Sequence, residues 1–134
     1  MTRPWPILAV ADVAKSAAWY GGLLAARNTH PGATVFDQVV ADDGTVLLCL
    51  HHWGPSGPGG DHVWPSLAKR TSEVGNGFLG WFVVDDFDAA WARAQALGAE
   101  VVEAPNNDNG TGMPAFAVRD PDGYHVVVNA SRSS

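Results

Sequence analysis

Asp88-Ala89-Ala90-Trp91 echoes Ser16-Ala17-Ala18-Trp19, and each follows an apolar run that closes on an aspartate, Asp85 or Asp12. A short polar side chain just before Ala-Ala-Trp is the residue type that caps a helix N-terminus. The two matches mark two strand-to-helix junctions, one in each half of the chain. Around the first, Ile7-Leu8-Ala9-Val10-Ala11 is apolar and of strand length, and helical spacing runs from Ser16 to Leu23 and Leu24, with Gly21-Gly22 weakening the last turn. Thr34 to Val40 and Thr45 to Leu50 follow as β-branched, apolar segments joined by Ala41-Asp42-Asp43-Gly44, a hairpin pattern. Around the second, Phe78 to Val84 reads as strand and Asp88 to Leu97 as helix, with Gly98 as the residue past its end. Ala99 to Glu103 and Pro114 to Arg119 are short strands, and Asp120-Pro121-Asp122-Gly123 is a tight turn into Tyr124 to Asn129.

The first half thus reads β-α-(β)-β-β, the bracketed strand being supplied by analogy, and the second β-α-β-β-β. The expected fold class is α+β: two βαβββ modules, residues 5–53 and 78–130, joined by a Gly/Pro-rich linker at 54–77 within one domain of residues 1–134. One module alone is too small to bury both faces of a four-stranded sheet, so a shared curved sheet around a central cleft is expected, with the cleft as the default site.

Composition bounds the function. With Lys+Arg 8 against Asp+Glu 14 the net charge is -6, so there is no basic stripe for a phosphate backbone, and nucleic acid and anionic membranes are excluded as expected partners. A cationic ligand suits this charge. The lone cysteine, Cys49, sits in Val46-Leu47-Leu48-Cys49-Leu50 and reads as a small core residue in a reducing compartment. No apolar stretch is long enough to span a bilayer, and the N-terminus has no long apolar run, so a cytoplasmic location is expected.

The chain resembles the vicinal oxygen chelate superfamily, which includes glyoxalase I, extradiol dioxygenases, and fosfomycin- and bleomycin-resistance proteins. The resemblance rests on Val10-Ala11-Asp12-Val13 with Ser16, Trp19, Tyr20 and Leu24, on Val84-Asp85-Asp86 with Ala99, and on Phe116 to Tyr124. Leu79-Gly80-Trp81-Phe82-Val83 and Arg119-Asp120-Pro121 are similar in style to the bleomycin-resistance branch. The resemblance implies four strand positions where metal-dependent relatives place His, Glu or Gln. Here they fall on Trp5, Leu48, Leu79 and Val127, none of which ligates a metal. No cofactor and no catalytic residue is therefore expected.

Strand alternation then nominates a cavity. Residues in step with those four positions are Trp5, Ile7 and Ala9; Val46, Leu48, Leu50 and His52; Leu79, Trp81 and Val83; and His125, Val127 and Asn129. Cys49 alternates away from that face. The expected ligand-binding residues are Trp81, Trp5, His52, Leu48, Leu79 and Val127, forming an apolar, aromatic pocket for a small aromatic or cationic molecule. Trp19 and Trp91 read as helix packing residues, and Asp120 and Asp122 as turn formers. His51 and His52, adjacent on a strand, point to opposite faces and do not share one ion. The expectation is thus a metal-free binding protein, assembled as a homodimer. The rival is a glyoxalase-like lyase or dioxygenase with a metal on His52, His62 and His125.

Overall fold

The computed structural model describes residues 3–56, 62–71, 78–109 and 111–132. The chain divides into two compact units, residues 1–21 with 25–72, and residues 22–24 with 73–134. Parts of the expected linker, residues 57–61 and 72–77, lie outside the described residues. Its described stretch folds back within the first unit, where Gly54 N donates to Leu67 O and Ser56 N to His62 O, and Pro65–Leu67 forms a 3-10 turn.

In the first unit β1 (Ile7–Val10) leads into α1 (Val13–Leu24), whose residues 22–24 are counted with the second unit, followed by β2 (Arg27–Asn28), β3 (Phe36–Val40) and β4 (Val46–His52). The sheet order is β1-β4-β3-β2, with β1 parallel to β4 and the other pairs antiparallel. The β3–β4 turn closes as Asp43-Gly44 predicts: Gly44 N donates to Ala41 O, Ala41 N to Thr45 O, and Thr45 N to the Asp43 carboxylate. In the second unit β5 (Leu79–Val84), α2 (Phe87–Ala96), β6 (Glu100–Asn106), β7 (Ala115–Arg119) and β8 (His125–Ala130) repeat the plan in the order β5-β8-β7-β6, with β5 parallel to β8. The architecture is α+β, two four-stranded mixed sheets and two helices. Among the described residues no helix is long and apolar enough to cross a membrane.

The helix caps correct the register of the repeat. Asp12 and Asp86, not Ser16 and Asp88, are the N-caps, accepting from Lys15 N and Ala89 N at 3.0 Å each. Ser16 lies inside α1 and is buried. A side chain caps when its own backbone is non-helical, which φ −138° at Asp12 and φ −110° at Asp86 satisfy. Counting from the caps, Val10 corresponds to Val84, Ile7 to Trp81 and Trp5 to Leu79, while Trp19 and Trp91 are not equivalent. The α1 helix also runs through Gly21-Gly22 and ends on Ala25 in the left-handed region, φ 52°, whose N–H caps Gly21 O. At the other helix, Gly98 at φ 65° takes the left-handed turn that ends α2.

Each sheet has a core face, and in the first sheet Ala9, Cys49 and His51 on the opposite face are buried as well. In the second unit Phe116 meets the rings of Phe87 and Trp91 at 5.7 and 5.0 Å, so Phe116 and its register partners Val128 and Phe82 face α2. In the first unit Leu8 pairs with Leu50, and both are buried together with Val10, Val39 and Leu48. α1 buries Val13, Ala17 and Tyr20 in a stripe at helical spacing.

Candidate functional site

The opposite face of the second sheet is open, and the sequence of β7 explains why. Ala115-Phe116-Ala117 alternates small and large: the phenyl ring fills the helix-facing core, while the two methyl groups leave a low floor on the other side. Across that floor Ala117 pairs with Val127, and Val127 with Trp81; Leu79 pairs with His125. A cavity of about 220 Å³ is lined by these residues together with Val102, Glu103, Asn106, Asp108 and Asn109. That is room for one bicyclic ring system and a short arm, below the usual size of a drug pocket. Trp81 is 42% exposed, enough of the indole being open for a ligand to stack on.

The far wall was not legible in the alternation. In β6 the register slips between Val101 and Glu103 and again between Glu103 and Asn106, and Pro105 removes a ladder donor on this edge strand. The slips bring neighbours in sequence, Val102 and Glu103, to one cavity. Beyond β6 the polar stretch from Asn106 is built of side chains that hold the backbone. Asp108 N donates to Asn106 Oδ1, Thr111 N donates to Asn109 Oδ1, and Asn109 Nδ2 donates to Asn106 O and Met113 O. Met113 N donates to Thr111 Oγ1, which donates to Asn129 Oδ1 on β8 at 3.1 Å. This loop is tied to the sheet before any ligand arrives. The only sequence signal for it is the Asn/Asp/Gly density of Asn106 to Gly112.

Three of the six expected ligand residues, Leu79, Trp81 and Val127, line this cavity; Trp5, Leu48 and His52 lie in the first unit and do not. Trp5 borders a separate hollow of about 530 Å³ with Arg3, Pro4, Asp43, Gly44, Thr45 and Val46. All of those except half-buried Val46 are exposed, so that hollow is open surface beside a turn despite its larger volume. The expected first-unit strand faces are corrected by the β1–β4 register. Ile7 pairs with Cys49 and Ala9 with His51, so Cys49 and His51 share the face of Ile7 and Ala9, while Leu48, Leu50 and His52 share the face of Leu8 and Val10. Leu48 is 2% exposed on the core side. In the cap-to-cap alignment the equivalent of Val127 is Cys49. Alternation fixes parity within a strand; the phase between parallel strands is set by which carbonyl each amide meets, here Cys49 N to Pro6 O at 2.7 Å.

A metal of the type the family resemblance implies does not fit these residues. Trp5, Leu79 and Val127 offer no donor. Cys49 offers a thiol that burial pushes above its ordinary value of 9.0, so it stays protonated at neutral pH. Of the alternative set, His52 and His62 lie in the first unit and His125 in the second, and among the described residues no three His, Cys, Asp or Glu side chains are placed to hold an ion. His52 Nε2 is engaged with Pro55 O, and the His62 ring stacks edge-on against Trp64 at 4.5 Å. Nearby, His51 Nδ1 donates to His52 O, and among the described residues the buried His51 Nε2, Trp53 Nε1 and Ser56 Oγ have no hydrogen-bond partner. Asp120 is a turn former, accepting Asp122 N and Tyr124 N.

The Glyoxalase/Bleomycin resistance protein/Dioxygenase superfamily matches residues 3–128. No protein with a curated description matches the sequence. Among solved structures, TioX from Micromonospora sp. ML1 is 17% identical with a TM-score of 0.68, over 97% of this chain and 98% of that one. The hypothetical protein SA1046 from S. aureus is 18% identical with a TM-score of 0.71, over 98% and 95%. A glyoxalase / bleomycin resistance protein from Catenulispora acidiphila DSM 44928 is 21% identical with a TM-score of 0.63, over 98% and 99%. At these identities the likeness is one of fold.

Proposed function

The chain belongs to the glyoxalase/bleomycin resistance protein/dioxygenase superfamily, and we propose that it is a binding member of it, which sequesters a small, partly aromatic molecule without transforming it. The observation that carries this reading is the second-unit cavity, where an open indole, Trp81, stands over an alanine floor beside Leu79 and Val127 and is rimmed by amides and carboxylates. Flat apolar surface with a few fixed polar groups supplies affinity and orientation. What a catalyst of this superfamily needs in addition, a Lewis acid to polarise neighbouring oxygens, has no donor set at Trp5, Cys49, Leu79 and Val127. The reading keeps the bleomycin-resistance style of binder, and with it a role in resistance to a natural product, as the expectation to be tested.

The test is a thermal-shift screen of the purified, untagged protein against aromatic natural products, with Zn, Ni, Mn and Fe as a parallel arm. A ligand at about one hundred times its dissociation constant stabilises the fold by about 2.7 kcal/mol, a rise of several degrees for a chain of this length. The expected result is stabilisation by a flat aromatic compound, unchanged by chelator. One metal per chain that survives dialysis and is required for binding overturns the proposal.

A further inference from the structure

The polar lining of the second-unit cavity has one sign. Its groups are the Glu103 and Asp108 carboxylates, the Asn106 and Asn109 amides and the His125 imidazole, and neither lysine nor arginine lines it. Glu103 Oε1 receives a long hydrogen bond from Asn106 Nδ2, 3.3 Å, and no described ion pair reaches Glu103 or Asp108. The second unit's three arginines have other partners, that of Arg132 being on the cavity's own loop. Arg119 Nε pairs with Glu100 at 2.7 Å, Arg132 Nη2 donates to Thr111 O, and Arg93 Nε donates to Leu23 O within the same unit.

The charge of the whole chain points the same way. Residues 73–134 carry nine carboxylates against three arginines and no lysine, whereas residues 1–72 carry five acidic and five basic side chains. The entire net charge of -6 therefore sits on the half that builds this cavity. A concave site walled by apolar side chains concentrates such a field and draws cations to it.

Resting on the reading of this cavity as a binding site, we propose that its ligand is a flat apolar molecule bearing a protonated amine or guanidinium, with the body on Trp81 and the charge received by Glu103 and Asp108. A cation on a short arm has two attractions here, the indole face and the two carboxylates. A neutral molecule of the same shape strips water from those carboxylates and returns at most a hydrogen bond without the charge attraction, and an anion is repelled. Asn106 and Asn109 are pinned by their own hydrogen bonds, so the loop carrying Asp108 is set in place beforehand.

Three probes with one ring system and three charges test this: 2-naphthylmethylamine, protonated at neutral pH, 2-naphthylmethanol and 2-naphthoate. Binding is followed by the Trp81 indole N–H in proton–nitrogen correlation spectra of the whole chain, assigned with Trp81→Phe. The amine should bind about tenfold more tightly than the alcohol, the sum of one exposed cation–π contact and weak surface ion pairs. Its advantage should shrink as salt is raised and disappear in Glu103→Gln/Asp108→Asn, whose thermal melt serves as the folding control. The naphthoate should be the weakest of the three. Should the alcohol match the amine, or the double variant keep the preference, the cation inference is overturned while the cavity reading stands. If none of the three shifts the Trp81 resonance, both fall.

Discussion

Trp81→Ala separates a ligand platform from a core residue. A whole tryptophan side chain offers about 250 Å². With 42% of Trp81 exposed, about 100 Å² is free for a ligand and about 150 Å² already rests against the sheet. Covering the free part at about 25 cal/mol per Å² contributes at most about 2.5 kcal/mol, and stacking adds about 1 kcal/mol before the costs of association. Truncation should therefore weaken 2-naphthylmethylamine about ten- to one-hundredfold. The buried part sets an upper limit of about 3.5 kcal/mol on folding, reduced because the alanine still covers some of that surface and the unfolded chain is itself partly collapsed. Because the indole borders an open cavity, no sealed void is left, and a loss of about 2 kcal/mol is expected, against 3–5 kcal/mol for an enclosed tryptophan. Naphthylmethylamine titrations and denaturant melts of the one variant give both numbers. A loss of 4 kcal/mol or more (about the enclosed-core value) with unchanged affinity per folded molecule would refute the assignment of the β5 faces.

Leu48, buried on the core side of β4, should behave in the opposite way: Leu48→Ala costs about 2–5 kcal/mol of stability and leaves naphthylmethylamine affinity per folded molecule unchanged, and weakened binding in a stable variant would restore it to the site. Burial raises the Cys49 thiol above 9.0, so the folded chain holds that proton more tightly than the unfolded one. The resulting stability is complete below pH 9.0 and is lost as pH rises through the folded value. Urea melts should therefore show wild type losing stability relative to Cys49→Ala above that pH, and parallel profiles would contradict it. A homodimer is expected because each four-stranded sheet ends in strands unpaired on one side within that sheet and such edges need cover; light scattering that gave one 14.1 kDa chain at micromolar concentration speaks against it.

The sequence by itself determined both helices, every strand except the short Arg27–Asn28, and their order, because strand and helix periods, Asp-Gly turns and a C-terminal glycine are local signals that each segment carries alone. It determined the β5–β8 phase too, since Leu79-Gly80-Trp81-Phe82 and the run after Asp120-Pro121-Asp122-Gly123-Tyr124 could each be anchored on a motif, and Trp81, Leu79 and Val127 do meet in one cavity. What it left to tertiary structure is whatever depends on two segments at once. The β1–β4 register placed Cys49 and His51 where alternation had put Leu48, Leu50 and His52, because a one-residue slip exchanges every side chain between faces and leaves each strand's own pattern intact. The caps fell on Asp12 and Asp86 because the backbone there is non-helical, φ −138° and −110°, and lets each carboxylate reach the amide three residues on, a condition the repeated Ala-Ala-Trp does not encode. The acidic wall of Glu103 and Asp108 arose from slipped register in β6 and a loop closed by its own amides. The bond that ties this loop to β8, Thr111 Oγ1 to Asn129 Oδ1, joins residues whose nearness only the folded chain decides.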